Sequence, residues 1–579
     1  MLAPFDLVVV AFYFCFLLSI GWFFRRAGHD SNEFFRGGGA MSWWMVGSSA
    51  FMGSFSAWTF TGAASLAYEN GLVVLVLYWA NAVGFFLNWG YFAAACRQSR
   101  AVTALETVRQ RLGAANEQVF TWLQVPFQIL QAGIWLYGLA IFCAPIFGFE
   151  LTTTIWVCGV VTVFVATAGG TWAVVAGDFV QALVLVPVTL VAATTALVYV
   201  GGFGALAAKL PATHWDLTGG AANFGVLWIA AVLMEKITNG NGLHQSSRYL
   251  CVRDGRDARR AALMSAMLFL LGSAVWFIPS LAARASGMPL GTFPGITNPA
   301  EMSYVVMAAK CLPAGLMGLL VTGIISSTLS AMDTGLNRNA GIFVRSFYLP
   351  VLRPRASERE LVTAGRLSTL GFGLVIIGAA LVYSTWRDLG VFRLMMNFSA
   401  LVATPYAVPL FWALIVRRAP DWAAWSSIAL CLVVGAAVSG LPKTAWAASL
   451  ESGAISSALH WAAAHDYIAI TFANVIAGSA WFLGAAWLAP ARSSPKRQAE
   501  VDEFYRHVAT PIPAADASPV DDKRHLGMAR MCFVYGGFVT VLALLAVTWT
   551  GRAGLGFCGA FMIVVGALIR RSIVRRAAG

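Results

Sequence analysis

The sequence predicts an all-α polytopic membrane protein built around two inverted five-helix repeats, with additional helices at both ends. Three observations carry this prediction. Of 579 residues, 59% are hydrophobic and 11% charged, with a mean hydropathy of +0.72, whereas a soluble chain carries about 25% charged residues. Apolar runs near the length that crosses a bilayer as a helix, about 20 residues, recur along the chain. Two of these runs, five spans apart, are interrupted by glycines and polar side chains.

The apolar runs give fifteen expected spans: 5–24, 42–66, 71–95, 118–146, 151–170, 178–201, 223–243, 260–285, 313–347, 361–384, 389–416, 421–441, 466–489, 527–547 and 553–575. The first has no basic leader and no small-residue cleavage site, so it reads as a span rather than a cleaved signal. Basic residues fall in alternate loops: Arg25, Arg26 and Arg36; Arg97, Arg100, Arg109 and Arg111; Arg248, Arg253, Arg256, Arg259 and Arg260; Arg353, Arg355 and Arg359; Arg417 and Arg418; and the terminal RRSIVRR. This is the positive-inside pattern. It places the N-terminus outside and the C-terminus in the cytoplasm of a plasma (inner) membrane. The formal charge of +13 therefore belongs to the cytoplasmic membrane surface, and no nucleic-acid partner is expected. The nine cysteines show neither metal spacing nor a disulfide framework.

The division that follows is 1–41 for an extra helix and loop, 42–210 and 211–420 for the two repeats, and 421–489 for additional helices. Residues 490–526 form a cytoplasmic linker with one amphipathic helix, RQAEVDEFYRHV, and 527–579 hold the last helices.

The second span carries SFSAWTFTG, residues 54–62. The seventh carries MEKITNGNGLHQSS, where Asn239, Gly240, Asn241 and Gly242 make poor helix interior. Inverted repeats predict this arrangement: the first helix of each repeat breaks near the midplane and frees backbone groups for substrate and ion. Taken singly, small and hydroxyl residues also serve close helix packing, and NGNG also suits a helix end. In span 9, GIISSTLSAMDTGLN, Ile324, Ser327 and Thr328 share a helical face, with Ser326, Ser330, Asp333 and Asn337 on the neighbouring stripe. Hydroxyls and freed carbonyls are hard oxygen ligands, suited to Na⁺ rather than to a transition metal. The alternative is that these hydroxyls bond back to carbonyls one turn earlier.

Together SNEFFRGGGAMSWWMVGSSAF, FSAWTFTG followed by AYENG, GGTWAVVAGDFVQ, HQSSRYL and GIISSTLSAM resemble the sodium:solute symporter family over roughly residues 5–418. The resemblance implies a LeuT-type core that couples inward Na⁺ flow to uptake of a small organic solute by alternating access. It implies a sodium held by the carbonyls of Met52, Phe55 and Ile324 and the hydroxyls of Ser327 and Thr328. A second sodium at Asp178 and Ser330 is half matched, because Ala331 stands where a further hydroxyl is expected. Asp178 also reads as an N-cap of span 6. Asp333, one turn beyond, compensates for the missing hydroxyl, lines the ion's exit or is solvated at the cytoplasmic mouth.

The positions matching the family's substrate site are Thr59, Tyr78, Asn81, Glu235, Phe269 and Met396, with Thr238 and Asn239 beside the second break. Several sugar-binding amides and carboxylates of the sugar-transporting branch are absent, which argues against a polyol. Glu235 is the one charged newcomer, and an intramembrane carboxylate is a functional candidate. It faces a cationic solute or pairs with Lys236, although adjacent helical residues point apart.

Na⁺ is the expected coupling ion, with no organic cofactor and no obligate protein partner beyond the lipid bilayer. A Na⁺-independent or proton-coupled carrier of the same fold is the alternative, and a transport-like sensor a weaker one, since no signalling domain follows the last span. An enzyme is not expected, because the seven histidines (29, 214, 244, 460, 465, 507 and 525) read as unclustered loop or interface residues.

Overall fold

A computed structural model of the chain describes residues 2–24, 36–166, 171–220, 224–386, 390–450, 453–488, 494–513, 519 and 521–578. Among these the fold is helical, with one isolated parallel bridge between Met41 and Val252. Eleven helices among the described residues are long and apolar enough to cross a membrane. Two shorter apolar helices, Pro4–Ile20 and Leu151–Ala166, lie on predicted spans as well. Arg25, Arg26 and His29 lie outside the described residues.

The helices used below are α1 (Pro4–Phe24), α2 (Trp43–Met52), α3 (Gly62–Asn70), α4 (Val73–Gln98), α5 (Ala114–Phe147), α6 (Leu151–Ala166), α7 (Thr171–Val200), α8 (Val226–Gly240), α9 (Gly255–Ala285) and α10 (Leu316–Phe343). They continue with α11 (Glu358–Thr385), α12 (Val391–Trp412), α13 (Trp422–Gly440), α14 (Asp466–Leu488), α15 (Pro495–Ala509), α16 (Asp522–Leu545) and α17 (Trp549–Ala578).

Span 2 is two helices, not one. Helix α2 stops at Met52, Ser56 is extended at φ −155°, and a short 3-10 turn at Ala57–Phe60 leads into α3. At the far end Gly71 turns the chain at φ 72°. A Cβ there would meet the His214 carbonyl oxygen at 2.2 Å, so no other residue fits this left-handed corner. In the second interruption α8 ends at Gly240, Asn241 is extended, and only a 3-10 turn and one helical turn follow before Leu250.

Helix α2 packs between α9 and α7, while the turn at 57–60 sits against α5 and α10. The broken segment is therefore enclosed on several sides by apolar helices. Helix α10 begins under a cap from another part of the chain. Asp6 Oδ1 on α1 accepts hydrogen bonds from the Gly315 and Gly318 amides at 2.6 and 2.8 Å, satisfying donors that a helix start leaves open.

Two sequence readings change. The sixth span starts at Thr171 rather than 178, so Asp178 lies inside α7 and is not its N-cap. The histidines are also not all peripheral: His525 is fully buried with Nε2 2.8 Å from Ser42 Oγ, and His244 lines the central cavity.

The linker's amphipathic helix is present as α15, and it is docked. Tyr505 Oη donates to the Ala413 carbonyl at 2.8 Å, beside Arg111 Nε on the same oxygen at 3.0 Å. Arg497 meets Asp421 with Nε–Oδ2 at 2.9 Å and Nη2–Oδ1 at 3.3 Å.

Candidate functional site

The break in α2 faces the hydroxyl-rich turn of α10. As the helix unwinds, Gly53, Ser54 and Phe55 bond back to the carbonyls of Ser49, Phe51 and Met52 at 2.9–3.1 Å. Two residues on, the Ala57 amide reaches out of its own segment and donates to Thr328 Oγ1 at 2.9 Å. Met52, Phe55, Ile324, Ser327 and Thr328 are each at most 2% exposed. Ser326 and Ser327 rest on carbonyls of the preceding turn, Gly323 and Ile324, at 2.8 Å each, so part of the back-bonding alternative is present. A hydroxyl that donates its single proton keeps its lone pairs, and Ser327 and Thr328 both retain oxygen that can face a cation.

Asp178 sits one helix away, 1% exposed. Its carboxylate accepts hydrogen bonds from Ser49 on α2 and from Ser330 on α10. Arg248 Nη2 lies 3.4 Å from Asp178 Oδ2 and donates to Thr334 Oγ1 at 2.8 Å. Ser49 and Arg248 thus join the Asp178–Ser330 pair, and neither was among the expected site residues. The signal for Arg248 was present in HQSSRYL, but nothing local says which acid it meets.

Beside this core lies a cavity of about 310 Å³. Of the expected solute positions, Thr59, Tyr78, Asn81, Glu235, Asn239 and Met396 line it. Tyr78 Oη donates to Thr59 Oγ1 at 2.9 Å, which fixes both side chains at the wall. Phe269 and Thr238 do not line it. Phe269 is fully buried behind the wall, with ring centroids 5.0 Å from Phe51 and 5.5 Å from Phe85. Thr238 turns its hydroxyl back to the carbonyls of Met234 and Glu235 at 2.8 and 3.0 Å, as threonines in helices do. Trp58 and Trp135 line the cavity and were not expected. Trp58 is held by its Nε1 on the Val391 carbonyl at 3.2 Å.

Glu235 does not stand open to a cationic solute. Oε1 takes Lys236 Nζ at 3.1 Å and Asn239 Nδ2 at 2.9 Å, and Oε2 takes Tyr467 Oη at 3.0 Å. The pairing with Lys236 forms despite adjacency, because the long lysine stem curls back while its Cα–Cβ bond points away. Tyr467 belongs to α14, so a helix later in the chain than the residues that line the cavity reaches this end of the site.

The fold and its sequence have counterparts among known proteins. The structure is similar to that of a Na⁺-coupled sialic acid symporter in a substrate-bound outward-open state, with a TM-score of 0.66 at 18% identity, covering 85% of this chain and 100% of that one. That likeness carries the LeuT-type core. In sequence the chain is 24% identical to mouse (Mus musculus) solute carrier family 5 member 4B, over 74% of this chain and 71% of that protein. It is 23% identical to the sodium/glucose cotransporter of Vibrio parahaemolyticus, over 70% and 80%, and 25% identical to the sodium/myo-inositol cotransporter 2 of Sus scrofa, over 75% and 69%. Residues 34–430 match the sodium:solute symporter family, and by that match, which spans more than half its length, the chain belongs to this family.

Proposed function

We propose that the chain is a Na⁺-coupled secondary active symporter that imports a small organic solute by alternating access. The observation that carries this reading is the Ala57 N–Thr328 Oγ1 hydrogen bond, which holds the broken segment of α2 against the buried hydroxyl pair of α10. Sodium binds there, with Ser327 and Thr328 supplying hydroxyls and Met52, Phe55 and Ile324 supplying carbonyls. Asp178 and Ser330 hold a second sodium once Arg248 moves off the carboxylate. The solute occupies the cavity beside Thr59, Tyr78, Asn81 and Met396. Relatives named for sodium-coupled glucose and inositol transport, and a structural neighbour named for sialic acid, support the coupling ion and a solute of metabolite size.

In the plasma membrane, with the N-terminus outside, each sodium that enters without a counter-charge gains about 2.3 kcal/mol per 100 mV of potential. No organic cofactor, nucleic acid or obligate protein partner enters this reading, and no catalysis. The test is thermal unfolding of the purified protein across a NaCl titration, with choline chloride holding ionic strength constant. Stabilisation by Na⁺ and not by choline is expected. Equal curves in the two salts, with transport retained, transfer the protein to the Na⁺-independent or proton-coupled carriers.

A further inference from the structure

We infer that the transported solute is an organic carboxylate, and that Arg338 receives its anionic end. This rests on the symport reading of the same cavity and narrows its solute class.

The charges around the cavity are Glu235, Lys236, Arg248 and Arg338, with His244 as the titratable neighbour. Glu235 and Lys236 neutralise each other at 3.1 Å. Arg248 is taken by Asp178 at 3.4 Å and by Thr334 at 2.8 Å. Arg338, on α10, has no ion-pair or hydrogen-bond partner among the described residues. One guanidinium with free donors therefore faces a protein-lined space inside the membrane fold. A charge in such a place is costly until an opposite charge pairs with it. A guanidinium meets a carboxylate through two parallel N–H bonds, a fit that an amine or a neutral amide cannot reproduce.

A second feature points the same way. Gln124, Gln128 and Gln131 lie at i, i+4 and i+7 on α5, so they share one face, and all three line the cavity with Arg338. Their side-chain amides have no hydrogen-bond partner among the described residues. They offer neutral donors to the remaining lone pairs of a carboxylate without adding charge. Trp58, Tyr78, Phe127 and Trp135 stand in the same wall, among small and polar residues, and offer ring surface to an apolar body attached to the anionic head. At about 310 Å³ the space is at the small end of small-molecule sites.

The experiment compares matched acid, amide and amine probes: propionate with propionamide and propylamine, phenylacetate with phenylacetamide and phenethylamine, and indole-3-acetate with its amide and tryptamine. Binding to the full-length purified protein is read by thermal shift and by quenching of tryptophan fluorescence, in NaCl and in choline chloride. At least one acid is expected to bind tenfold or more tighter than its amide and its amine. Arg338→Gln is expected to remove that preference, and Arg338→Lys to keep part of it. No acid binding in any set, amides binding as tightly as acids, or an acid preference that survives Arg338→Gln each overturns the carboxylate site. In the last case the arginine is only solvated by the open vestibule. The sodium arm is separate. Na⁺ stabilisation without acid preference refutes this inference and leaves symport standing. Acid preference that is identical in choline, with no Na⁺ stabilisation, refutes symport and leaves the carboxylate site standing.

Discussion

Thr328 accepts the Ala57 amide at 2.9 Å across 271 residues of chain. That single bond ties the unwound part of α2 to the middle of α10. Thr328→Ala removes both an acceptor for a buried N–H and a lone pair for sodium, whereas Thr328→Ser keeps an oxygen. The alanine variants of Ser327 and Thr328 are expected to need at least tenfold more sodium for half-maximal stabilisation or uptake, about 1.4 kcal/mol. Thr328→Ser is expected to stay near wild type. Sodium dependence equal to wild type in both alanine variants removes the hydroxyl pair from the ion site. A drop in the melting temperature measured in choline alone separates the loss of the Ala57 bond from the loss of sodium.

Asp178 has two possible cations, Arg248 in the structure and a second sodium in the proposed cycle. Asp178→Asn is expected to lower the Hill coefficient for sodium while retaining part of the uptake. Arg248→Gln is expected to increase the apparent sodium affinity, because the tethered competitor is gone. An unchanged coefficient and affinity in both variants assigns Asp178 to holding α2, α7 and α10 together through Ser49 and Ser330.

Glu235 is expected to matter for stability more than for solute charge. Glu235→Gln leaves Lys236 without its counter-charge and one acceptor oxygen for the three donors Lys236, Asn239 and Tyr467, and breaking a buried pair costs about 3–5 kcal/mol when the remaining charge cannot reach water. The Lys236 side chain is 19% exposed, so the expected loss is smaller, about 1–3 kcal/mol. Glu235→Gln should melt several degrees lower, and the double variant Glu235→Gln with Lys236→Met should recover part of the loss. Thermal unfolding in detergent measures both. A variant as stable as wild type refutes the anchoring role.

The orientation is tested by cysteine labelling. Thr510→Cys, just past α15, is expected to react with an impermeant maleimide only in inside-out vesicles, and Leu450→Cys only in right-side-out ones, each above the background of the native cysteines. The opposite pattern places the basic loops on the outer side.

The docked linker helix gives a fifth test. Tyr505→Phe removes the donor shared between the Ala413 and Val416 carbonyls at 2.8 and 3.1 Å, leaving Arg111 to serve them. A loss of about 1 kcal/mol is expected, with faster amide exchange confined to α15 and the segment after α12. Unchanged exchange there means that α15 is held mainly by Arg497 and Asp421.

Hydropathy marked the long helices well because lipid demands a continuous apolar run, and the two interruptions were visible because glycine and asparagine cannot hide in such a run. Helical spacing put Ile324, Ser327 and Thr328 on one face, but the resemblance, not spacing, singled out Ser327 and Thr328 from the neighbouring stripe of hydroxyls. What was not legible depends on partners far apart in the chain. Nothing near Glu235 announces Tyr467, which lies 232 residues later. Nothing near Asp178 announces Arg248. That Arg338 has no partner among the described residues was invisible for the same reason, since a charge is unpaired only relative to a completed fold. The retreat of Thr238 and Phe269 from the cavity wall was hidden too, because one turns its hydroxyl to its own helix and the other packs on rings distant in the chain.

The cap that Asp6 places on α10 has a consequence for how the chain is made. The donor amide of Gly315 lies 309 residues downstream, so at roughly 5–20 residues per second the ribosome delivers it about 15–60 s after the carboxylate. Through that interval the α10 donors are absent, while the Ala3 amide, 2.9 Å away in the finished fold, is already at hand. The contact that caps α10 therefore closes only after more than half of the chain has been made, although its carboxylate is among the first groups to leave the ribosome.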